Sequence, residues 1–477
     1  MNRRTFVRSV AAAGAASVDA ASALAAGAPS GTRPNFLFFI ADDLTYRSIN
    51  ALNNQEVHTP NLDRLVRRGC AFTHCFHQGS NNPAVCVPSR MMLNTGLSAF
   101  HVPARVDEVA TWGQTLCNAG YITYIAGIWH LDAPVLQRSF QQMGPIVLGM
   151  LPSTDDMYDR PRPGNHWSPS DKSLTGHWIH TDLWLNRPVD SIEHTSVAWA
   201  SCATDHLTNT AAKADRPFFM YVGFNAPHDP RQSPREFVDM YPADKIEIPP
   251  NYLPEHPFDQ GDHRVRDEVL APFPRTKAAV QTHRSEYYAI ITHMDRQLGL
   301  VLDALERSGK ADNTYIIFTA DHGLAVGEHG LMGKQNMYDH SIRVPLLISG
   351  PGIAPGSTVD ELVYQHSLYA TTCELAGVAV PKTVEFPGIA DLAQGRGSPK
   401  HDAIFSYYRH FQRAIRTSTH KLIVYPEAKV TQLFDLAADR WEMHNVADER
   451  RYAALRKDLT TRLQQLQREL GDKLQLS

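Results

Sequence analysis

The sequence predicts an α/β protein built on a doubly wound sheet, followed by a smaller C-terminal unit of short strands. Three observations predict it. Apolar strand-like runs alternate with helical stretches along residues 34–397, the order that builds a sheet with helical crossovers. Runs such as Phe36-Leu37-Phe38-Phe39-Ile40 are apolar throughout, as strands covered on both faces must be. After Gly397-Ser398-Pro399-Lys400 the texture shifts to short strand-like runs separated by turns. The 477 residues are 43% hydrophobic and 20% charged, an ordinary globular balance, and the length allows two or three domains. A formal net charge of −4 lacks the basic footprint of nucleic-acid binding. The 23 histidines favour metal or proton chemistry.

In chain order, residues 1–28 read as an export signal. Asn2-Arg3-Arg4-Thr5-Phe6-Val7-Arg8 is of twin-arginine type, an Ala/Gly-rich stretch follows, and Ala23-Leu24-Ala25 is a plausible cleavage site. No run reaches 18 apolar residues, so no membrane span is expected and the mature protein is placed in the periplasm or outside the cell. The first strand, 35–41, ends in Asp42-Asp43, at the carboxyl edge where open α/β sheets place their ligands. Thr59-Pro60-Asn61 caps a helix from Leu62 to Arg68 that Gly69 stops. Cys70 and Cys75 could pair, since export permits disulfides, but spacing does not give connectivity. No Cys-x-x-Cys pair is present, which argues against zinc.

Cys86-Val87-Pro88-Ser89-Arg90 comes next. Pro88 suits the first turn of a helix, and i,i+4 spacing would set Arg90 beside position 86. The helix N-terminus there favours an anion. A helix near 111–119 and a strand-like run, 121–126, lead to His130. Residues 138–190 are rich in Pro, Trp, His and Asp. Asn165-His166-Trp167 and Gly176-His177-Trp178 fit a sugar-contacting lip and equally a loop packed on the body. Residues 194–212 read as a helix, and a strand over 216–224 leads to His228. The Pro-rich, charged excursion 230–280 includes Arg264-Val265-Arg266-Asp267, for which solvated surface is the plainer reading and a pocket rim the sharper one. Tyr288, Ile291, Met294, Leu298, Val301, Leu302 and Leu305 recur at helical spacing before Gly309. A strand over 314–320 ends in Asp321-His322-Gly323, Lys334 follows, and 344–350 closes the sheet. Strand-like runs at 403–408, 414–417, 421–425 and 431–435 precede an amphipathic helix, 449–470.

These motifs together resemble the sulfatase family over nearly all of residues 34–470. The resemblance is carried by Cys86-x-Pro-Ser-Arg90, Asp42-Asp43, Gly127-Ile128-Trp129-His130-Leu131, Ala226-Pro227-His228-Asp229-Pro230, Asp321-His322-Gly323 and Lys334. It implies an alkaline-phosphatase-like fold, with a large mostly parallel sheet carrying helices on both faces in a catalytic domain, 34–397. A small antiparallel α+β subdomain, 401–477, would follow. It implies that a formylglycine-generating enzyme oxidises Cys86 to formylglycine, an aldehyde that hydrates to a diol. Asp42, Asp43, Asp321 and His322, with an oxygen at position 86, would hold one Ca2+. One diol hydroxyl would attack sulfur while Arg90 and Lys334 neutralise the developing charge. His228, helped by Lys334, would protonate the departing alcohol, and His130 would take the proton of the second hydroxyl to expel sulfate.

Two positions depart from the family. Leu97 stands where an arginine is common, and Ile128 where a sulfate-contacting lysine is usual. Isoleucine supplies neither donor nor charge. Either another cation replaces the lysine, or the site takes a differently charged ester, or catalysis is weak. The implied function is hydrolysis of an extracellular sulfate ester, a sulfated carbohydrate first, with aryl and choline sulfates open. A phosphodiester or phosphonate monoester hydrolase of the same superfamily is the alternative that Ile128 favours. A non-catalytic sulfated-glycan-binding protein is a third reading, against which the retained Cys86 counts.

Overall fold

A computed structural model describes residues 33–103, 106–148, 194–231 and 233–476. The expected export signal and the Trp/His segments at 165–167 and 176–178 lie outside the described residues. The first strand, β1 (Asn35–Asp42), is buried at every position, so both of its faces are covered. The larger sheet also contains β2 (Cys70–Phe76), β4 (Ile122–Ile128), β5 (Gln142–Val147), β6 (Phe218–Pro227), β7 (Thr314–Ala320) and β8 (Arg343–Ser349). The short β9 (Ser357–Val359) and β10 (Val363–Tyr364) complete it, while β3 (Gly79–Ser80) belongs elsewhere. The order is β10-β2-β8-β7-β1-β6-β4-β5, with β9 on β2. Strands β7, β1, β6, β4 and β5 run parallel, and β8 runs antiparallel to both β7 and β2.

β8 therefore does not close the sheet. It lies inside, and β2 extends the sheet beyond it. Thr73-His74 interrupts the apolar pattern of β2 where its register with β8 shifts between Phe72 and Cys75, which is why the sequence hides this strand. All six cysteines are free. Cys70 and Cys75 lie on this one strand, about 16 Å apart at the strand rise, so the pairing that export would have permitted does not form.

The described helices of seven or more residues that pack with this sheet are α1 (Pro60–Arg68), α2 (Cys86–Thr95), α3 (Trp112–Asn118), α4 (Ala133–Ser139), α5 (Thr195–Asn209), α6 (Lys277–Arg307) and α7 (Leu368–Ala376). Helices cover both faces of the sheet, as expected. Trp112 of α3 packs edge-on to Phe38 at 4.8 Å and against Phe219 at 5.0 Å. Helix α6 begins before the apolar stripe, where Thr276 accepts from the Ala279 amide. Helix α1 is capped differently from the expectation. The Thr59 side chain makes no cap bond to it; the free amides of Asn61 and Leu62 instead donate to Asp295 of α6 at 3.0 and 2.7 Å. A tertiary partner thus satisfies the amides that local sequence was expected to satisfy.

The second sheet has the order β14-β13-β12-β11-β3, from β11 (Ile404–Tyr408), β12 (Gln412–Arg416), β13 (His420–Tyr425) and β14 (Val430–Asp435). It is antiparallel except that β3 joins β11 in parallel. Helix α8 (Ala453–Leu470) buries Leu459 and Leu463 against Phe405, Leu422 and Leu433. Among the described residues no helix is long and apolar enough to cross a membrane.

Candidate active site

Every predicted site residue lies at or just past the carboxyl end of a parallel strand, on helix α2, or in the loops after β7. Asp42 ends β1 and Asp43 follows it; His130 lies past β4, His228 past β6, and Asp321 and His322 past β7. These four strands are neighbours in the order β7-β1-β6-β4, so their ends share one edge. Asp43 and His130 adopt left-handed φ values of 72° and 68°, which non-glycine residues hold only when the surroundings over-determine them. For Asp43 the clamp is Tyr287 of α6. Its hydroxyl donates to the Asp43 carbonyl at 2.6 Å and accepts from the Thr45 amide at 2.9 Å. For His130 the preceding Gly127 adopts φ +101°, and a Cβ there would lie 1.9 Å from the Gly223 carbonyl oxygen.

Cys86 begins α2, and the Ser89 hydroxyl ties that helix to the strand end by donating to the Asp321 carbonyl at 2.6 Å. Arg90 is fully buried. Its Nε donates to Asp321 at 2.9 Å, Nη1 to the Ile128 carbonyl at 3.0 Å and Nη2 to Asp42 at 3.4 Å. Lys334 Nζ donates to Asp43 Oδ1 at 2.7 Å. Ile128 thus contributes its backbone, while its buried side chain carries no charge.

Three carboxylates crowd two cations in a buried site. Burial, with Asp321 beside it, pushes Asp42 up to about 7. Burial also opposes ionisation of Asp43, but His228, Lys334 and His322 outweigh it and hold that carboxyl below the usual range. Burial and Asp42 push the Cys86 thiol up, so the unmodified cysteine is not an activated thiolate. Burial and Arg90 keep His130 neutral, well below the ordinary histidine range.

Asp42 Oδ1, Asp43 Oδ2, His322 Nε2 and both ring nitrogens of His130 are buried without a hydrogen-bond partner among the described residues. His322 Nδ1 donates to the Gly323 carbonyl at 3.0 Å, which leaves the Nε2 lone pair facing Asp321 Oδ1 at 3.6 Å and Asp42 Oδ1 at 4.0 Å. Groups able to hold an ion overlap on Asp42: with Cys86 and His322, with His130 and Asp321, and with Asp43 and His228. Unpaired buried carboxylate oxygens and an oriented imidazole are the donor set a divalent cation needs. The residues fit the ion.

The Sulfatase family model matches residues 34–378. This chain belongs to the sulfatase family. The sulfatase C-terminal region, residues 327–469, matches the model for the N-sulphoglucosamine sulphohydrolase C-terminus. A sulfatase of Formosa agariphila is 28% identical over 449 residues, covering 87% of this chain and 83% of the relative. A choline-sulfatase of Rhizobium meliloti is 28% identical over 450 residues, with the same coverage of each. The phosphonate monoester hydrolase of Silicibacter pomeroyi superposes with a TM-score of 0.74 at 23% identity, covering 92% of this chain and 96% of its own. At that identity the likeness shows the alkaline-phosphatase-like fold alone.

Sequence reading missed the supports of the sulfatase site. Gln365 donates to the Ala320 carbonyl at 2.5 Å, and no local signal marks it. The 230–280 excursion is only partly solvated surface. Asp267 and Glu268 are buried, and Glu268 accepts the amides of Met332 and Gly333 at 2.9 and 2.8 Å, just before Lys334. The carboxylates beside Arg264 and Arg266 were the available signal.

Proposed function

We propose that this sulfatase hydrolyses a sulfate ester of an exported or extracellular substrate, a sulfated carbohydrate first, using a formylglycine made from Cys86 and one Ca2+. The observation that carries the reading is the convergence at one sheet edge of Cys86, Arg90, Lys334, His130, His228 and three residues, Asp42, Asp43 and His322, with unsatisfied metal-type donors among the described residues. Asp42, Asp43, Asp321 and His322 would hold the ion. When bound, it supplies positive charge that polarises the sulfate and acidifies an adjacent hydroxyl, and the hydrated aldehyde at 86 supplies that hydroxyl. A formylglycine-generating enzyme is the implied maturation partner, and residues 1–28 the implied export signal.

The chain's own groups divide the remaining work. Arg90 is pinned by two carboxylates and a carbonyl, so it offers fixed positive charge beneath residue 86 without reorganising. Lys334 bridges from Asp43 toward the same space. His228 donates Nδ1–H to the Asp229 carbonyl at 2.6 Å, which turns Nε2 toward Asp43 and the site at 3.8 Å. A proton at Nε2 is placed for the departing alcohol oxygen. His130, neutral and with neither nitrogen hydrogen-bonded among the described residues, is placed to accept the proton whose loss restores the aldehyde.

Two measurements test the reading. A peptide containing Cys86 from protein matured in its own host should weigh about 18 Da less than the thiol form, the loss set by thiol-to-aldehyde chemistry. Removing divalent ions with a chelator should abolish sulfate release, and Ca2+ should restore it. An unmodified thiol throughout, or full activity without divalent ions, overturns the mechanism. Ile128 supports a second reading, a phosphodiester or phosphonate monoester hydrolase, because position 128 offers no cation. Faster turnover of a phosphonate monoester than of every sulfate ester tried would select it.

A further inference from the structure

We propose that Arg266 is a positioning residue for the reaction, tying the loop that carries His228 to the loop that carries Lys334. The proposal rests on the reading of His228 as the acid for the leaving alcohol. Arg266 lies on the 230–280 excursion, far in sequence from both loops. Its Nη1 donates to Asp229 Oδ2 at 2.5 Å and its Nη2 to Asp229 Oδ1 at 3.0 Å. The same Nη2 donates to Asp267 Oδ1 at 2.7 Å. Asp267 Oδ2 in turn accepts from Gln335 Nε2 at 2.5 Å. Gln335 Oε1 accepts the Lys334 amide at 3.0 Å, and its Nε2 also donates to the Pro83 carbonyl, in the loop that leads to Cys86.

Five residues thus form one continuous path, from Asp229 through Arg266, Asp267 and Gln335 to Lys334. Asp229 is the residue whose carbonyl orients His228, and its carboxylate lies 3.5 Å from the same Nδ1. Asp229 and Asp267 are buried while the Arg266 side chain is 43% exposed, so the bidentate clamp closes over the site from its rim. A bidentate guanidinium–carboxylate pair fixes orientation as well as distance. In the leaving-group step the S–O bond breaks, its electron pair stays on the alcohol oxygen, and that oxygen takes the Nε2 proton. The transfer demands that Nε2 be aimed to within hydrogen-bond reach. Without Arg266, Asp229 would lose its bidentate restraint, and the imidazole it orients would be held less firmly.

A leaving-group series separates this role from simple structural support. Matured enzyme and the variant Arg266→Ala are compared on aryl sulfates running from 4-nitrophenyl to 4-methoxyphenyl sulfate. An acidic phenol departs without a proton, and a less acidic one needs it more. The expected result is a kcat loss below about threefold on the first ester, rising above about tenfold on the last, with KM held, because acid assistance is worth most to poor leaving groups. Arg266→Lys should recover part of the loss, and Asp267→Asn should give a weaker version of the same slope. A uniform loss across the series, no loss at all, or a raised KM with kcat held overturns the proposal; the last result would make Arg266 a substrate contact. If the unaltered matured enzyme turns over none of these esters or sulfated sugars, the sulfatase reading falls and takes the proposal with it.

Discussion

His130 illustrates how single residues carry the chemistry. It sits on a left-handed turn, buried, with neither ring nitrogen engaged among the described residues, a cost that core packing alone does not repay. Its neutral state follows from burial and from Arg90 beside it, and a neutral imidazole is the form that accepts a proton. Replacing His130 by alanine should lower kcat by about 10²–10⁴-fold while thermal stability holds or rises, since an unsatisfied buried group is removed. Single-turnover kinetics alongside a melting curve would check it. A kcat within twofold of the unaltered enzyme, a mere ~0.4 kcal/mol, would remove His130 from the mechanism.

At the scale of elements, the site depends on how β4 meets β6. Gly127 and Gly223 face each other in register, and their backbones approach too closely for side chains. A Cβ on Gly127 would fall 1.9 Å from the Gly223 carbonyl oxygen, and one on Gly223 would fall 2.4 Å from the Ile128 carbonyl oxygen. That contact aims the Ile128 carbonyl at Arg90 and delivers His130 to the edge. Gly127→Ala should therefore destabilise by at least about 2 kcal/mol, from positive φ and backbone overlap combined, and should lose activity well below its melting temperature. Denaturant unfolding gives the first quantity. An unchanged midpoint would mean the two strands can separate at no cost. Both glycines stand openly in the sequence, yet nothing there says that they oppose each other.

For the whole molecule, histidines buried in the neutral form contribute to the loss of stability in acid. Burial lowers His206 and His256 to about 4 and His329 to about 3. A histidine free to titrate in the unfolded chain ionises near pH 6.5, so the unfolded state binds more protons between that value and the folded ones. These groups contribute full stability above pH 6.5, and the contribution is lost as pH falls toward 4 and then 3. The urea midpoint should therefore be level near pH 7.5 and drop steeply by about pH 4.5. A flat profile down to about pH 4 would show these rings to be solvated in the folded protein.

The sequence by itself determined the local facts. Apolar runs marked the central strands because strands covered on both faces admit few polar residues, and motifs resembling those of the sulfatase family named Asp42, Asp43, Cys86, Arg90, His130, His228, Asp321, His322 and Lys334. The tertiary structure decided what local pattern does not encode. It set β7, β1, β6 and β4 side by side, turned β8 against them, placed β2 outside it and left Cys70 and Cys75 unpaired. It also recruited Asp295 to cap α1, Tyr287 to hold the turn at Asp43, and Arg266 and Glu268 to brace the loops around the site. Each of these supports joins residues far apart in the chain, and a hydrogen bond between distant side chains leaves no periodicity to read; only the folded sheet brings the partners within reach.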